Sequence, residues 1–432
     1  MVVLQLEESM SSEFLAAVAI FVLAFGSLSR RLERSIITPP MAYVIYGLLI
    51  GPVALGLTSG ISLSNETIRV LAESALAVVL FTDASRIQFG RLEAGYKLPL
   101  RLLGLGLPIT IAVGTAIAFW LFPSLGIWEA AVLSTILAPT DAALGQAVVN
   151  SQKVPSFIRQ AINVESGLND GICLPFLFFF LALAEESETA TDLTYWLTFS
   201  AKQVGFGALV GVAVGYLGSK LIGRSIGRKW MKESFEDLSV LGLAFLAYTG
   251  ADMIGGNGFI AAFCAGLVSG NVTTDAVKQT LYDFGEAEGQ LLTLLTFLLY
   301  GAVMVTPALG EANWHMWVYA IISLTVIRIV GVAISTASAK LQPLSVLFVG
   351  WFGPRGIASV VYGLTIIDED DLAGGDLIFN TMAVTVLLSI FAHGVTAFPG
   401  ANWYGNNMSK QADRKPMREM KPVAELPVRL PW

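Results

Sequence analysis

Residues 161–171, Ala-Ile-Asn-Val-Glu-Ser-Gly-Leu-Asn-Asp-Gly, run without a break into the apolar stretch Ile-Cys-Leu-Pro-Phe-Leu-Phe-Phe-Phe-Leu-Ala-Leu. Glu165, Ser166, Asn169 and Asp170 stand at i, i+1, i+4 and i+5, so a helix carries them on one side and Ile162, Leu168, Ile172 and Leu174 on the other. A charge at the centre of a membrane helix costs about 2.5–3.5 kcal/mol even on a lenient insertion scale. Two further apolar segments carry polar groups of the same kind: Thr140 and Asp141 beside Pro139, and Arg355 beside Pro354. Glu165, Asp141, Asp170 and Arg355 would be prohibitive together unless they answer one another.

One guanidinium cannot neutralise three acids. Arg355 pairs with one of them, because its planar fork suits a carboxylate. At least one remaining acid must then hold a proton or a cation. Burial favours the protonated form of a carboxylate, and a nearby cation favours the ionised form. If Asp170 holds either one, proton and cation compete for a single place, and competition at a site opened alternately to each side is antiport. Hard oxygen donors suit alkali cations, and no His or Cys cluster points to a transition metal. Asn169 can orient its neighbours but carries no titrating proton.

The elements around these residues must lie in a bilayer. The chain has 432 residues, 55% of them hydrophobic and 14% charged, against about 25% charged in a soluble domain. Repeated apolar runs of about 20 residues predict an all-α polytopic membrane protein with about 13 transmembrane helices. The acidic start, Met-Val-Val-Leu-Gln-Leu-Glu-Glu-Ser, does not read as a removable secretory signal. The two cysteines, Cys173 and Cys264, lie in apolar segments and read as packing residues. The connections test the span count independently. All 26 Lys and Arg residues except Arg69, Lys202, Arg328 and Arg355 fall in alternate connections or in the tail. The intervening connections include the acidic runs 184–192 and 368–376. With basic loops on the cytoplasmic side, the N-terminus is expected outside and the C-terminus inside.

Two pairs of segments echo each other. Tyr46–Gly51 resembles Ala265–Gly270, and Leu137–Leu144 resembles, more loosely, the stretch around Pro354. They predict a repeat over about 1–185 and 235–400, joined by a linker helix at about 195–221 and followed by a cytoplasmic tail at 401–432. An odd number of spans separates the copies, so the six-helix repeats are inverted. Pro139 and Pro354 each remove a backbone donor, and backbone opened at that depth is tolerated only against protein or a water-filled cavity. The fifth and twelfth spans are therefore read as two crossing broken helices, a feature of secondary transporters.

Glu-Ser-Gly-Leu-Asn-Asp-Gly, preceded by Ala-Pro-Thr-Asp-Ala-Ala and followed late by Gly-Pro-Arg-Gly, resembles the monovalent cation:proton antiporters, and the Asn-Asp pair is similar to their NhaP / sodium–hydrogen exchanger branch. The resemblance covers 14–398. It implies that Asp170 carries the cation and the proton, and that Na⁺ is held by Asp170, Asp141, Ser166 and Thr140, the last largely through its backbone. It implies a structural ion pair between Glu165 and Arg355, with Asn169 supporting the site, and Asp83 as an acid lining it. It also implies a homodimer, with an interface domain moving against a core domain, exchanging one Na⁺ or Li⁺ for one H⁺ electroneutrally with no cofactor. With no organelle signal read in the sequence, the plasma or bacterial inner membrane is the expected location. K⁺/H⁺ exchange is the alternative within the family.

Other classes fit less well. A channel would line its path with rings of like groups, whereas these acids lie on one half and the Arg on the other. An intramembrane aspartyl hydrolase could use Asp141 and Asp170 but leaves Arg355, the repeat and the breaks unexplained. No feature suggests nucleic acid or an enzyme. Arg328, inside the eleventh span, is left between an ion pair and packing. His315 and His393 are read as lying at span ends, apart from the acids. The tail is expected to be flexible and near anionic lipid.

Overall fold

The computed structural model describes residues 12–32, 36–58, 66–92, 96–141, 143–184, 193–273, 289–367, 372, 374–412, 417–423 and 425–426. Fourteen helices matter here: α1 Ser12–Leu32, α2 Pro39–Ile50, α3 Glu66–Ser85, α4 Lys97–Leu121, α5 Ile127–Ile136, α6 Ser156–Ala184, α7 Leu193–Gly227, α8 Glu233–Asp252, α9 Gly258–Val272, α10 Gly289–Gly310, α11 Trp314–Ala339, α12 Pro343–Trp351, α13 Ile357–Ile367 and α14 Gly375–Ala412. With α12 and α13 as halves of one broken span, the described residues hold thirteen helical segments in the order of the expected spans. Among the described residues six helices are long and apolar enough to cross a membrane by length and composition, and five apolar stretches are shorter. The acidic runs at 185–192 and 368–371, and the loop carrying Lys278, lie outside the described residues.

Local chemistry sets the helix starts. Proline opens α2 and α12, where a missing N–H costs nothing. Asn257 caps α9 by accepting from the Ile260 N–H, and Asn313 caps α11 by accepting from His315 and Met316. Three wide π turns interrupt the long helices. Those at Leu102–Gly106 and Tyr300–Met304 precede Pro108 and Pro307, whose rings would clash with the carbonyl one turn back. The third, Ser323–Ile327, has no proline after it and ends at Arg328.

The glycines that marked the internal echo are contact points. A Cβ at Gly47 would strike the Leu298 carbonyl of α10, and one at Gly301 would strike Val44 of α2. Gly266 and Gly270 of α9 press likewise on the Phe81 and Ser85 carbonyls of α3. The second span thus meets the tenth as the ninth meets the third, a reciprocal pairing. Spans four and eleven meet through Gly106 and Gly331.

The last helix runs past the expected boundary at 400. Pro399 lies inside α14, which continues to Ala412 because Ala401, Tyr404, Gly405 and Met408 are buried against neighbours. The described tail beyond it is also seated on the protein, contrary to the expectation of a free, lipid-facing segment. Arg159 pairs with Glu425 at 2.6 Å, Leu426 N–H donates to Gln160 Oε1 at 2.9 Å, and Leu426 packs on Ile87 and Val164. Glu419, fully buried, accepts from the Gln342 N–H at 2.5 Å and the Ser345 hydroxyl at 3.2 Å.

Candidate ion site at the crossing of two broken helices

Between α5 and a short turn of helix at Gln146–Val149 the chain is non-helical through Pro139, Thr140 and Asp141; between α12 and α13 it is non-helical over 352–356, through Pro354 and Arg355. The two non-helical pieces touch: Asp141 N–H donates to the Pro354 carbonyl at 2.8 Å. Ser359 of α13 reinforces the crossing by donating to the Ile136 carbonyl at 2.7 Å.

Each break leaves helix ends with unpaired carbonyls or amides, and one charge answers each kind. Arg355, completely buried, donates from Nη1 to the Ala138 carbonyl at 2.7 Å and the Pro139 carbonyl at 3.1 Å, at the negative end of α5. Asp141 does the converse. Its Oδ1 accepts from the Ala143 N–H at 2.6 Å and the Leu144 N–H at 3.3 Å, and its Oδ2 accepts from the Ile357 N–H at 2.9 Å. One carboxylate therefore caps the N-terminal end of α13 and the turn of its own chain. Asp141 was expected among the ion ligands; three backbone amides surround its oxygens, and its observed work is to fasten the crossing.

Glu165 and Arg355 were expected to pair, and here the geometry is different. Glu165 is held by Arg328 of α11 in a two-pronged contact, Nη1 to Oε1 at 2.6 Å and Nη2 to Oε2 at 2.7 Å, both side chains buried. The π turn just before Arg328 adds one residue to a turn, rotating the remainder of α11 by about 100° relative to a regular helix. With Arg355 turned to the α5 carbonyls, Arg328 is left to answer Glu165.

Across from the first break, α6 presents its polar stripe. Asn169 Nδ2 donates to Thr140 Oγ1 at 2.6 Å, and Thr140 Oγ1 lies 3.0 Å from Ser166 Oγ. Asn169 Oδ1 is buried and has no hydrogen-bond partner among the described residues. Asp170, 6% exposed, follows directly, and its carbonyl accepts from the Tyr362 hydroxyl of α13 at 2.7 Å. The structure thus brings Thr140, Ser166, Asn169 and Asp170 to the side of the crossing, while Asp141 and Arg355 lie within it. Asp83 stands half-buried on α3, where its backbone carbonyl faces Gly167.

Sequence reasoning left out Tyr362, Ser389 and His393. His393 sits mid-helix in α14, 1% exposed, with Nε2 2.8 Å from the Trp351 carbonyl. The sequence places it near a span end, whereas α14 continues to Ala412. The two glycines of Gly-Pro-Arg-Gly are needed for close approach: a Cβ at Gly356 would collide with the Asp141 carboxylate, and one at Gly353 would lie 2.6 Å from Arg328 Nε.

An unbroken helix bearing a buried acid, set against two crossing broken helices, is the arrangement of secondary transporters. The chain belongs to the sodium/hydrogen exchanger transmembrane family, whose model matches residues 16–403. It is 26% identical to the K⁺/H⁺ antiporter NhaP of Alkalimonas amylolytica over 86% of this chain and 63% of that protein. It is 25% identical to Na⁺/H⁺ antiporter 2 of Zygosaccharomyces rouxii, over 84% of this chain and 46% of that one. The chain therefore spans roughly half to just under two-thirds of the length of these curated relatives. Its fold matches the structure of the sodium proton antiporter MjNhaP1 from Methanocaldococcus jannaschii at pH 8, with a TM-score of 0.75, 18% identity, and coverage of 91% of this chain and 99% of that one.

Proposed function

We propose that this chain exchanges Na⁺ or Li⁺ for H⁺ across a membrane, with the two ions competing for Asp170. The observation that carries this reading is a buried acid beside a cluster of neutral oxygens at the crossing of two broken helices. Glu165 and Arg328 form a two-pronged pair, and Arg355 and Asp141 bind backbone groups at the two breaks. Asp170 lies on the same helix as Ser166 and Asn169, buried at 6% exposure, and a single carboxylate that takes either a proton or a monovalent cation supports one-for-one, electroneutral exchange. Ser166 Oγ, Thr140 Oγ1 and Asn169 Oδ1 are oxygens gathered beside it, suited to a hard alkali cation. Rocking of one bundle against the other around the fixed site would expose Asp170 to each side in turn.

A second reading, K⁺ for H⁺, is favoured by one observation, that the relative with 26% identity is a K⁺/H⁺ antiporter. The same buried acid would serve either cation.

The alternation of basic connections supports an N-terminus outside and a C-terminus in the cytoplasm. The family resemblance supports a homodimer in the cell membrane. The test is purified protein in liposomes with a pH dye inside, challenged with Na⁺, Li⁺ or K⁺ outside. Cation-driven proton movement that is insensitive to a clamped potential and absent in Asp170→Asn is the expected result. Movement that follows the potential overturns the one-for-one stoichiometry. No movement with any cation overturns antiport.

A further inference from the structure

The second break carries Arg355 and Pro354, the groups that hold the first break in place. Backbone bonds tie the ends of the 352–356 stretch to its own helices, Phe352 and Gly353 N–H to the Phe348 and Trp351 carbonyls and Val360 N–H to the Gly356 carbonyl, and Asp141 N–H meets Pro354 from the first break. Side-chain anchors come from one face of α14. Ser389 Oγ accepts the Arg355 N–H at 2.7 Å, at one end of the stretch. Four residues on, His393 Nε2 meets the Trp351 carbonyl at 2.8 Å, at the other end. The two anchors are themselves joined, with His393 Nδ1 3.2 Å from Ser389 Oγ and 2.9 Å from the Ser389 carbonyl. Thr396 accepts from the Trp351 indole N–H at 3.0 Å, and Gly400 leaves the space that Phe352 fills. Ser389 and His393 are both buried.

Each ring nitrogen of His393 faces a carbonyl, Nε2 that of Trp351 and Nδ1 that of Ser389, and a carbonyl only accepts, so a neutral ring donates to one of them according to its tautomer. In the Nε2-protonated tautomer Nδ1 accepts from the Ser389 hydroxyl, whose oxygen accepts in turn from the Arg355 N–H. That tautomer makes a directed chain from the Arg355 amide through Ser389 and His393 to the Trp351 carbonyl, and it spans the break. From Arg355 the contacts continue to the Ala138 and Pro139 carbonyls, and Thr140, the next residue, touches Ser166 and Asn169. The path from the α14 anchors to the oxygens beside Asp170 is unbroken.

We propose that Ser389 and His393 are positioning residues for cation binding, acting through the Arg355 segment on the placement of Thr140. The proposal rests on the ion-site reading above. Neither residue touches the cation. They set the geometry of a site where a displacement of about 1 Å at the reacting groups can change function by about a hundredfold.

The experiment uses the full chain in liposomes, with three variants and two readouts. His393→Leu removes both polar atoms. His393→Gln keeps a donor for Trp351 and an acceptor for Ser389. Ser389→Ala cuts only the Arg355 end. Readouts are the half-saturating Na⁺ concentration against the maximal rate, and the shift in thermal unfolding that Na⁺ produces in detergent, which needs no transport. His393→Leu and Ser389→Ala are expected to raise half-saturation by about tenfold and to shrink the Na⁺-induced shift, with His393→Gln close to the wild type. Variants that melt lower without Na⁺ but keep wild-type half-saturation overturn the proposal, since the contacts would then serve stability alone. His393→Gln as damaging as His393→Leu also overturns it, because hydrogen-bond geometry would not be what matters. The failure of the antiport reading is distinguishable: there the wild type itself moves no protons.

Discussion

Asp141 and Gly356 approach so closely that no other residue type fits at 356. Asp141 Oδ2 reaches past Gly356 to the Ile357 N–H at 2.9 Å, and a Cβ at 356 would overlap the carboxylate. The obstacle is one end of a side chain held through Oδ1 by the Ala143 and Leu144 amides and through Oδ2 by the Ile357 amide, so it cannot swing away cheaply.

Gly356→Ala is therefore expected to displace Asp141 and loosen the crossing, at about 1–3 kcal/mol for an overpacked site. Transport should fall with stability, as read by thermal unfolding in detergent alongside dye-monitored flux. Gly242→Ala is the control. Nothing lies within 4 Å of a Cβ at that position in α8, and removing backbone freedom there should be neutral or slightly stabilising.

Glu165 and Arg328 make a buried pair whose partners cannot be removed one at a time. Glu165→Ala or Arg328→Ala leaves an uncompensated buried charge, at about 3–5 kcal/mol, whereas replacing both with apolar residues of similar volume is often close to neutral. Glu165→Leu combined with Arg328→Met should accordingly melt well above either alanine variant. If instead Arg355 were the true partner of Glu165, the double variant would be as unstable as Glu165→Ala, because Arg355 would remain unpaired.

This pair also marks where sequence reading stops. The stripe of Glu165, Ser166, Asn169 and Asp170 is legible because helical spacing is a local property. Pro139 and Pro354 announce the breaks for the same reason, since a missing N–H acts on its own turn. Which arginine answers Glu165 depends on how far α11 is rotated about its axis. That rotation is altered by the Ser323–Ile327 π turn, which carries no proline to flag it. His393 reads from the sequence as lying near a span end, while tertiary burial of Tyr404 and Met408 carries the helix on past it. The family resemblance supplied the roles; the Arg328 contact and the α14 anchors are visible only in three dimensions.

The tail makes a separate prediction. Glu419 Oε1 satisfies the Gln342 N–H at the start of α12, where no helical carbonyl is available. Glu419→Ala leaves that amide without its acceptor, while the Ser345 hydroxyl keeps Tyr404 at 2.8 Å, so a loss of about 1–3 kcal/mol is expected from the Gln342 N–H alone. Glu419→Gln retains the accepting oxygen and should lose less. Urea-dependent cleavage of the 417–426 segment by a protease would read the difference. Equal effects of the two variants would show that charge, rather than acceptance from Gln342, holds the segment.

Competition between proton and cation has a pH signature with a definite sign. A cation binds only the ionised acid, so below the pH at which the empty site takes up its proton, each unit of acidification raises half-saturation by about tenfold. Saturating cation displaces the proton, and with pH equal on both sides the maximal rate of cation exchange should change far less. Plotting half-saturating Na⁺ against pH should therefore give a limb of slope near minus one that flattens on the alkaline side. In Asp170→Asn, which is expected not to transport, the Na⁺-induced shift in thermal unfolding takes the place of flux, and any Na⁺ response that remains should be flat with pH, because the amide at 170 has no proton to exchange. A proton acting at a second site would instead lower the maximal rate and leave half-saturation flat, and that pattern would move the titrating group away from Asp170. Serine at 166 gives a finer check: Ser166→Ala removes one hydroxyl oxygen beside Thr140 but no titrating group. The whole curve should shift upward in concentration while keeping its slope.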